Sequence, residues 1–430
     1  FTPGLWLAPF IVHPKSRLFH EHPDWLLRNK SGRPSNAGLG WNSLCAGLDL
    51  TVPDALAYAC RVVKTAAEEW GYPYLKLDFL YASALMGIRH DPTRTRAQVL
   101  RSGIEAIREA VGPEVMLLGC GAPLGSMLGL VELMRIGADV SGDWNPSFFG
   151  VKAFLKNELA VPCARNSIRN ILTRADLHQQ WWINDPDCLL IRQDSNLTLD
   201  EVQSLAAAIA LTGGSLLLSD DMSRVNPERI ALAAKLFPTL EGRARVIDRL
   251  DRWMPERLRL DMVNPAGEWH ILARFNWTDE PVKISVSPAE YHLGEGTWHL
   301  REFWSGATGT FSGNSPYDVG IIPAHGSVVV AVRRFAADDP AYLGGDLHIS
   351  QGMELAEWLP GQLELKFTLR LPRIAEGEVA VNLPEPLLEC EVNGSPVQAG
   401  KKPGGVYSIP VKMEGFAHVH VGWRTPINQH

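Results

Sequence analysis

Tyr74-Leu75-Lys76-Leu77-Asp78-Phe79-Leu80 is an apolar run of strand length with one lysine and one aspartate set into it. Side chains two apart on a strand share a face, so Lys76 and Asp78 are expected to project together while Leu75, Leu77 and Phe79 face the other way. In a parallel barrel the C-terminal end of such a strand opens onto the face that carries catalysis, and Asp78 falls at that end. A lysine ammonium close by favours the ionised carboxylate, which is the form a nucleophile needs. A buried structural ion pair is the plainer alternative, and these two residues alone do not separate the readings.

Working outward, Gly4 to Val12 is a dense apolar run, expected to be a strand covered on both faces. Thr51-Val52-Pro53-Asp54 opens a helix that runs to Trp70, with Thr51 as its cap. Downstream, Ala97 to Val111 reads as an amphipathic helix and Glu114 to Leu118 as a strand ending at Gly119-Cys120-Gly121. Leu128 to Met134 reads as helical, Ile136 to Val140 as a very short strand with Asp139 near its end, and Trp181 to Asp187 as a strand running into an acidic turn. Thr198-Leu199-Asp200-Glu201 matches a capping box that starts a helix through Ala210. Ser215 to Asp221 reads as a last strand, and Asn226-Pro227-Glu228 begins a closing helix. Alternating strands and helices imply a parallel sheet. The strand candidates fall two short of the roughly eight that close a barrel, so two further strands are expected upstream of Phe1.

From about Arg245 the period changes to the polar/apolar alternation of half-buried strands, as in Glu268 to Phe275 and Ser327 to Val332. The expected organisation is a catalytic (β/α)8-type barrel over 1–240, an antiparallel β-sandwich-like domain over 241–335 and a further small β-domain over 336–430. A linker at Ala336-Ala337-Asp338-Asp339-Pro340 separates the last two.

Composition narrows the function classes. With 46% hydrophobic and 21% charged residues, the 430-residue chain can bury a large core. A net charge of −7 supplies no basic field for phosphates, which argues against nucleic acid as a partner. No apolar run has the length that spans a bilayer, so no membrane partner is expected. The six cysteines show no CxxC and no paired framework, which fits reduced thiols and a cytoplasmic setting. His20 and His22 have no third ligand in view, and neither a metal nor another cofactor is expected.

Acids at strand ends suggest a reaction run by two carboxylates. Asp78 is the better nucleophile because of Lys76, and Asp139 the better acid/base. Strands two apart in a barrel aim their ends across one pocket, and a retaining glycosidase needs its carboxyl groups about 5 to 5.5 Å apart. Asp143, four residues on, is the rival to Asp139.

Six segments in order then resemble the barrel motifs of glycoside hydrolase family 36, the α-galactosidases often called melibiases, with kinship to family 27. They are Gly-Leu-Trp-Leu-Ala-Pro-Phe at 4–10, Leu-Lys-Leu-Asp-Phe at 75–79, Gly-Cys-Gly-Ala-Pro at 119–123, Arg-Ile-Gly-Ala-Asp-Val at 135–140, Asn-Asp-Pro-Asp-Cys at 184–188 and Gly-Gly-Ser-Leu-Leu-Leu-Ser-Asp at 213–220. The resemblance implies retaining hydrolysis of terminal α-galactosides without a metal. It implies Asp78 as nucleophile and Asp139 as acid/base, with Lys76 and Arg135 contacting sugar. Cys120 stands where the family lines the pocket, and Trp6 on the strand that forms its floor; Trp144 is a further candidate for stacking on substrate. Full-length family members carry an N-terminal β-sandwich and two barrel strands ahead of the first motif seen here. An α-N-acetylgalactosaminidase or a galactosyl-transferring relative would keep both aspartates, and a non-catalytic carbohydrate-binding protein is the rival from another class. The sequence leaves the oligomeric state open.

Overall fold

In the computed structural model, which describes residues 1–147, 158–312, 315–334 and 338–423, the chain forms two compact units. The first comprises Phe1–Ile136 and Leu177–Asp185; the second comprises Gly137–Asp176 and Pro186–His430.

The first unit is built on a parallel sheet of β1 (Gly4–Leu7), β5 (Tyr74–Leu77), β6 (Met116–Gly119), β7 (Leu133–Arg135) and β8 (Ile183–Asp185), in that order. Two short strands and a hairpin partner separate β1 from β5: β2 (Ile11–Val12), β3 (Asn36–Gly40) and β4 (Ser43–Gly47) form a small antiparallel sheet. The helices are α1 (Arg17–Glu21), α2 (Pro53–Lys64) and α3 (Arg96–Val111). Thr95 caps α3 through a reciprocal box with Gln98, which satisfies two of the first-turn amides. Leu75 and Leu77 on β5 and Leu117 and Met134 on its neighbours bury against Ala55, Ala59, Ile104 and Ile107 of α2 and α3. That apolar face fixes the other face of the sheet, with Lys76, Cys120 and Arg135, as the one that can carry chemistry.

Several expectations are corrected here. The run from Gly4 to Val12 is two strands with a turn between them, and β1, at one edge of the parallel sheet, is alternately exposed and half-buried. Val52, not Thr51, occupies the cap position of α2; the Thr51 hydroxyl donates to Asp49 instead. Residues 128–134 do not form a helix, because Gly129 takes φ +78° and Leu133–Arg135 pair with β6 and β8 as β7. The strand expected at Ile136–Val140 therefore ends at Arg135, and Asp139 lies in the loop beyond it. Ser215–Asp221 contributes a single parallel bridge, Leu217 with Cys188, since a ladder forms only where a partner backbone runs alongside.

The second unit contains α4 (Ala164–Arg174), α5 (Leu199–Thr212) and α6 (Pro227–Ala234). Thr198 and Glu201 form the expected capping box on α5. Beyond them come a six-stranded antiparallel sheet starting at Arg245–Val246 and a two-stranded sheet of Val282–Val286 with Tyr317–Ile322. These two close over Leu272, Val286, Tyr291, Trp298 and Val330. A final sheet is dominated by the paired long strands Glu364–Asn382 and Val406–Trp423, which pack Phe367, Leu369, Ile409 and Val419 into their own core. Of the expected linker, Ala336 and Ala337 lie outside the described residues. Among the described residues, no helix is long and apolar enough to cross a membrane.

Candidate active site

Parallel pairing puts Leu77, Gly119, Met134 and Asn184 in one row across β5, β6, β7 and β8. The next residue on each strand is Asp78, Cys120, Arg135 and Asp185. Because successive side chains alternate, these four point to the face opposite the helices, at the C-terminal edge of the sheet. Tyr74 and Lys76 lie on the same face nearer the strand starts, where Tyr74 packs on Leu118, Cys120 and Leu133.

Asp78 is held on both oxygens. The Trp6 indole N–H donates to Oδ2 at 3.1 Å, and the Phe79 amide donates to Oδ1 at 2.7 Å. Both donors stabilise the negative charge. Trp6 reaches Asp78 because it is in register with Lys76 on the adjoining strand. Behind Asp78 the backbone is tight: Phe79 takes φ +52°, and a Cβ on Gly121 (φ +58°) would stand 3.0 Å from Asp78 Oδ1 and 3.1 Å from the Phe79 amide nitrogen. Only glycine lets the loop after β6 approach the carboxylate this closely. Cys120 is buried beside it. Burial and the Asp78 charge push its thiol far above the usual range, so it stays protonated and donates toward the carboxylate.

Lys76 does not pair with Asp78 as expected. Its ammonium lies 3.9 Å from Asp185 Oδ2, and the Arg135 Nε lies 3.2 Å from the same oxygen. Asp185 is fully buried and Arg135 nearly so. Two cations converge on this carboxylate, and burial with the Asp185 charge pushes the Tyr74 phenol up to about 12 despite the opposing pull of Arg135. Asp185 falls in the run expected to be a strand ending in an acidic turn, where no site role is assigned to it. Its signal was its place as the last residue of a strand before Pro186, but with Asp187 two residues on, the register could not be chosen without the sheet.

Trp41 was also missed. β3 and β4 are joined by a two-residue turn, Trp41-Asn42, with φ of +49° and +61°, the type I′ geometry. Trp41 is 54% exposed, and its indole packs against Trp6 (ring centroids 6.2 Å), Phe79 (5.6 Å) and His13 (6.4 Å).

In the second unit, Asp139 is exposed. Its loop is pinned by Asp187, whose Oδ2 accepts the Val140 amide at 2.7 Å. Asp143 accepts from Asn196 Nδ2 at 2.8 Å and from the Ser147 hydroxyl at 3.2 Å. Trp144 is buried, stacked on His325 at 4.4 Å and beside Trp277, so its ring surface serves packing within this unit. Among the described residues, no group of three or more histidine, cysteine or acidic side chains could hold a metal ion.

Carboxylates, cations and an indole gathered at the C-terminal ends of parallel strands define a site of the kind that β/α-barrel enzymes build. Residues 1–105 match the melibiase family. Over 76 residues the chain is 34% identical to a protein of Aspergillus flavus described as "Probable alpha-galactosidase C", a stretch that covers 18% of this chain and 10% of that one. An α-galactosidase from Thermus thermophilus, solved with p-nitrophenyl α-D-galactopyranoside, is similar at 34% identity and a TM-score of 0.50, covering 60% of this chain and 50% of its own. A family 27 β-L-arabinopyranosidase from Geobacillus stearothermophilus shares the fold at 16% identity and a TM-score of 0.56, covering 78% and 75% of the two chains. The chain thus spans about a tenth of the curated relatives it matches and half of the Thermus enzyme. The fold is α/β, of the (β/α)8-barrel class with C-terminal antiparallel β-domains.

Proposed function

We propose that the chain carries the site of a retaining α-galactosidase, of the family 36 type within the melibiases, with terminal α-galactosides as substrates. The observation that carries this reading is Asp78. It is a carboxylate at a strand end, fixed on both oxygens by donors that favour its charge, within the segment similar to melibiases.

In the first half-reaction a lone pair on an Asp78 oxygen forms a bond to the anomeric carbon while the glycosidic C–O bond breaks. A general acid, the role the family resemblance implies for Asp139, gives its proton to the departing oxygen. In the second, the general base takes a proton from water, the water oxygen bonds to the anomeric carbon, and the Asp78 ester bond breaks to restore the carboxylate. The two hydrogen bonds hold Asp78 in one rotamer, so little reorganisation is needed at attack. Lys76, Arg135 and Asp185 offer donors and an acceptor for sugar hydroxyls, and the neutral Cys120 thiol fills the floor beside Asp78.

Turnover of an aryl α-galactoside by the full chain, measured beside Asp78→Asn, tests the reading. Asp78→Asn is expected to lose at least about a thousandfold in kcat, because the amide cannot form the ester intermediate. Undiminished hydrolysis would remove Asp78 from the role of nucleophile.

A further inference from the structure

Trp41 occupies a position that backbone chemistry disfavours. A type I′ turn needs positive φ at both central residues, and asparagine and glycine fill it without cost. Asn42 fits this rule and Trp41 breaks it. A bulky residue in the left-handed region is strained, and such strain persists where the surroundings or function hold it there. The residue is also more than half exposed, on a turn where a polar residue would be the ordinary choice.

The neighbourhood says what the ring could serve. Trp6, the donor to Asp78, touches Trp41 nearly edge-on at an interplanar angle of 72°, and Phe79, next in sequence to Asp78, meets both rings, 5.6 Å from Trp41 and 6.2 Å from Trp6 between centroids. Trp41 therefore borders both the ring that donates to Asp78 and the residue that follows it. It also forms a wall of a cavity of about 510 Å³, together with Ala8, Pro9, Ile11, His13 and Tyr58. That volume is within the range of small-molecule sites, and its lining is mostly apolar. The polar groups that suit sugar hydroxyls, Lys76, Arg135 and Asp185, lie on the sheet face itself. Around Trp41 the surface offers apolar area and aromatic rings, which suit the C–H face of a second sugar ring.

Resting on the reading of Asp78 as a galactosyl nucleophile, we propose that Trp41 is a specificity-determining residue for the leaving group. It stacks on the sugar ring joined to the terminal galactose, so the site takes α-galactosyl oligosaccharides in preference to galactosides with small leaving groups. Trp41 acts only before the leaving group departs; the second half-reaction does not involve it.

The test compares kcat/KM for an α-1,6-linked galactosyl-glucose with that for α-galactosyl fluoride, whose leaving group has no ring to stack. It uses the full chain, Trp41→Asn and Trp41→Phe. Asparagine is favoured at this φ, so Trp41→Asn keeps the turn, and its melting temperature should be no lower than that of the unmodified chain. The disaccharide-to-fluoride ratio is expected to fall about five- to tenfold in Trp41→Asn and less in Trp41→Phe, which restores an aromatic face. A ratio unchanged in Trp41→Asn, while the unmodified chain turns over both substrates, overturns the role of Trp41 and leaves the galactosidase reading standing. Turnover of neither substrate by the unmodified chain overturns both.

Discussion

The Trp6 indole nitrogen donates to Asp78 Oδ2 across the β1–β5 pair at 3.1 Å, and this bond ties the edge strand β1 to the carboxylate that follows β5. Trp6→Phe keeps most of the ring and removes the donor. A hydrogen bond to a charged group contributes about 1.5–3 kcal/mol, so kcat/KM on an aryl α-galactoside should fall roughly ten- to a hundredfold. Steady-state kinetics beside a melting curve check this, and a fall in stability alone would show that the bond serves folding.

Gly121→Ala places a methyl group against Asp78 Oδ1 and the Phe79 amide at a backbone angle of +58°. The left-handed conformation alone costs an alanine about 1–2 kcal/mol, and the contact adds to it. Chemical denaturation should show a loss of at least that size, with activity falling further because the Asp78 carboxylate is displaced.

Asp185→Asn leaves the Arg135 guanidinium and the Lys76 ammonium facing a neutral amide in a buried site. Removing one partner of a buried ion pair costs about 3–5 kcal/mol. Tyr74 supplies a second readout. Its phenol is raised to about 12 by burial and by the Asp185 charge, so removing that charge should bring its titration, followed by ultraviolet absorbance, to lower pH.

Asp139 and Asp143 are separated by chemical rescue. On the reading of Asp139 as acid/base, Asp139→Gly should let the first step survive only with activated leaving groups, and turnover of ordinary substrates should fall about 10²–10⁴-fold. Added azide should restore turnover by attacking the galactosyl enzyme without needing a base, and should yield an α-galactosyl azide. Rescue of Asp143→Gly and not of Asp139→Gly would move the role to Asp143.

Acid stability follows from two histidines in the second unit. His299 and His348 are buried, and burial pushes both imidazoles down to about 4 from 6.5. His348 is fixed as the neutral ring, donating from Nε2 to the Pro238 carbonyl at 2.9 Å and accepting the Ser350 amide at Nδ1. Between pH 6.5 and 4 the unfolded chain holds protons that the folded chain does not. Stability is therefore complete above about 6.5 and falls as pH drops through this window, by of order 3 kcal/mol for each group. Denaturation midpoints at pH 7, 5 and 4 should show the slope, and His299→Leu should flatten it.

Much of this was legible in the chain. The alternation in Leu75-Lys76-Leu77-Asp78 is a period-2 signal, and it held that far: the leucines are buried and the polar pair shares the opposite face, whereas Phe79, expected beside the leucines, takes φ +52° and packs on Trp6 and Trp41. Thr198 and Asn226 marked helix starts because capping is a local matter of one side chain and the next turn. Thr51 failed as a cap because Asp49 takes its hydroxyl, and the other errors fell where local signal is weak. Leu128–Met134 carries apolar residues that suit a helix or a strand, and pairing of Leu133–Arg135 with two neighbours decided for the strand.

By itself, then, the sequence determined which segments alternate, which face of the Asp78 strand is apolar and which residues resemble a melibiase motif. Those properties depend on residues a few positions apart, within reach of one turn or one strand. Only the tertiary structure decided that Lys76 serves Asp185 rather than Asp78, that Trp6 is the donor to Asp78, and that Trp41 joins it there. Those partners lie between 35 and 109 positions apart in the chain, and strand register, a property of the assembled sheet, brings them together.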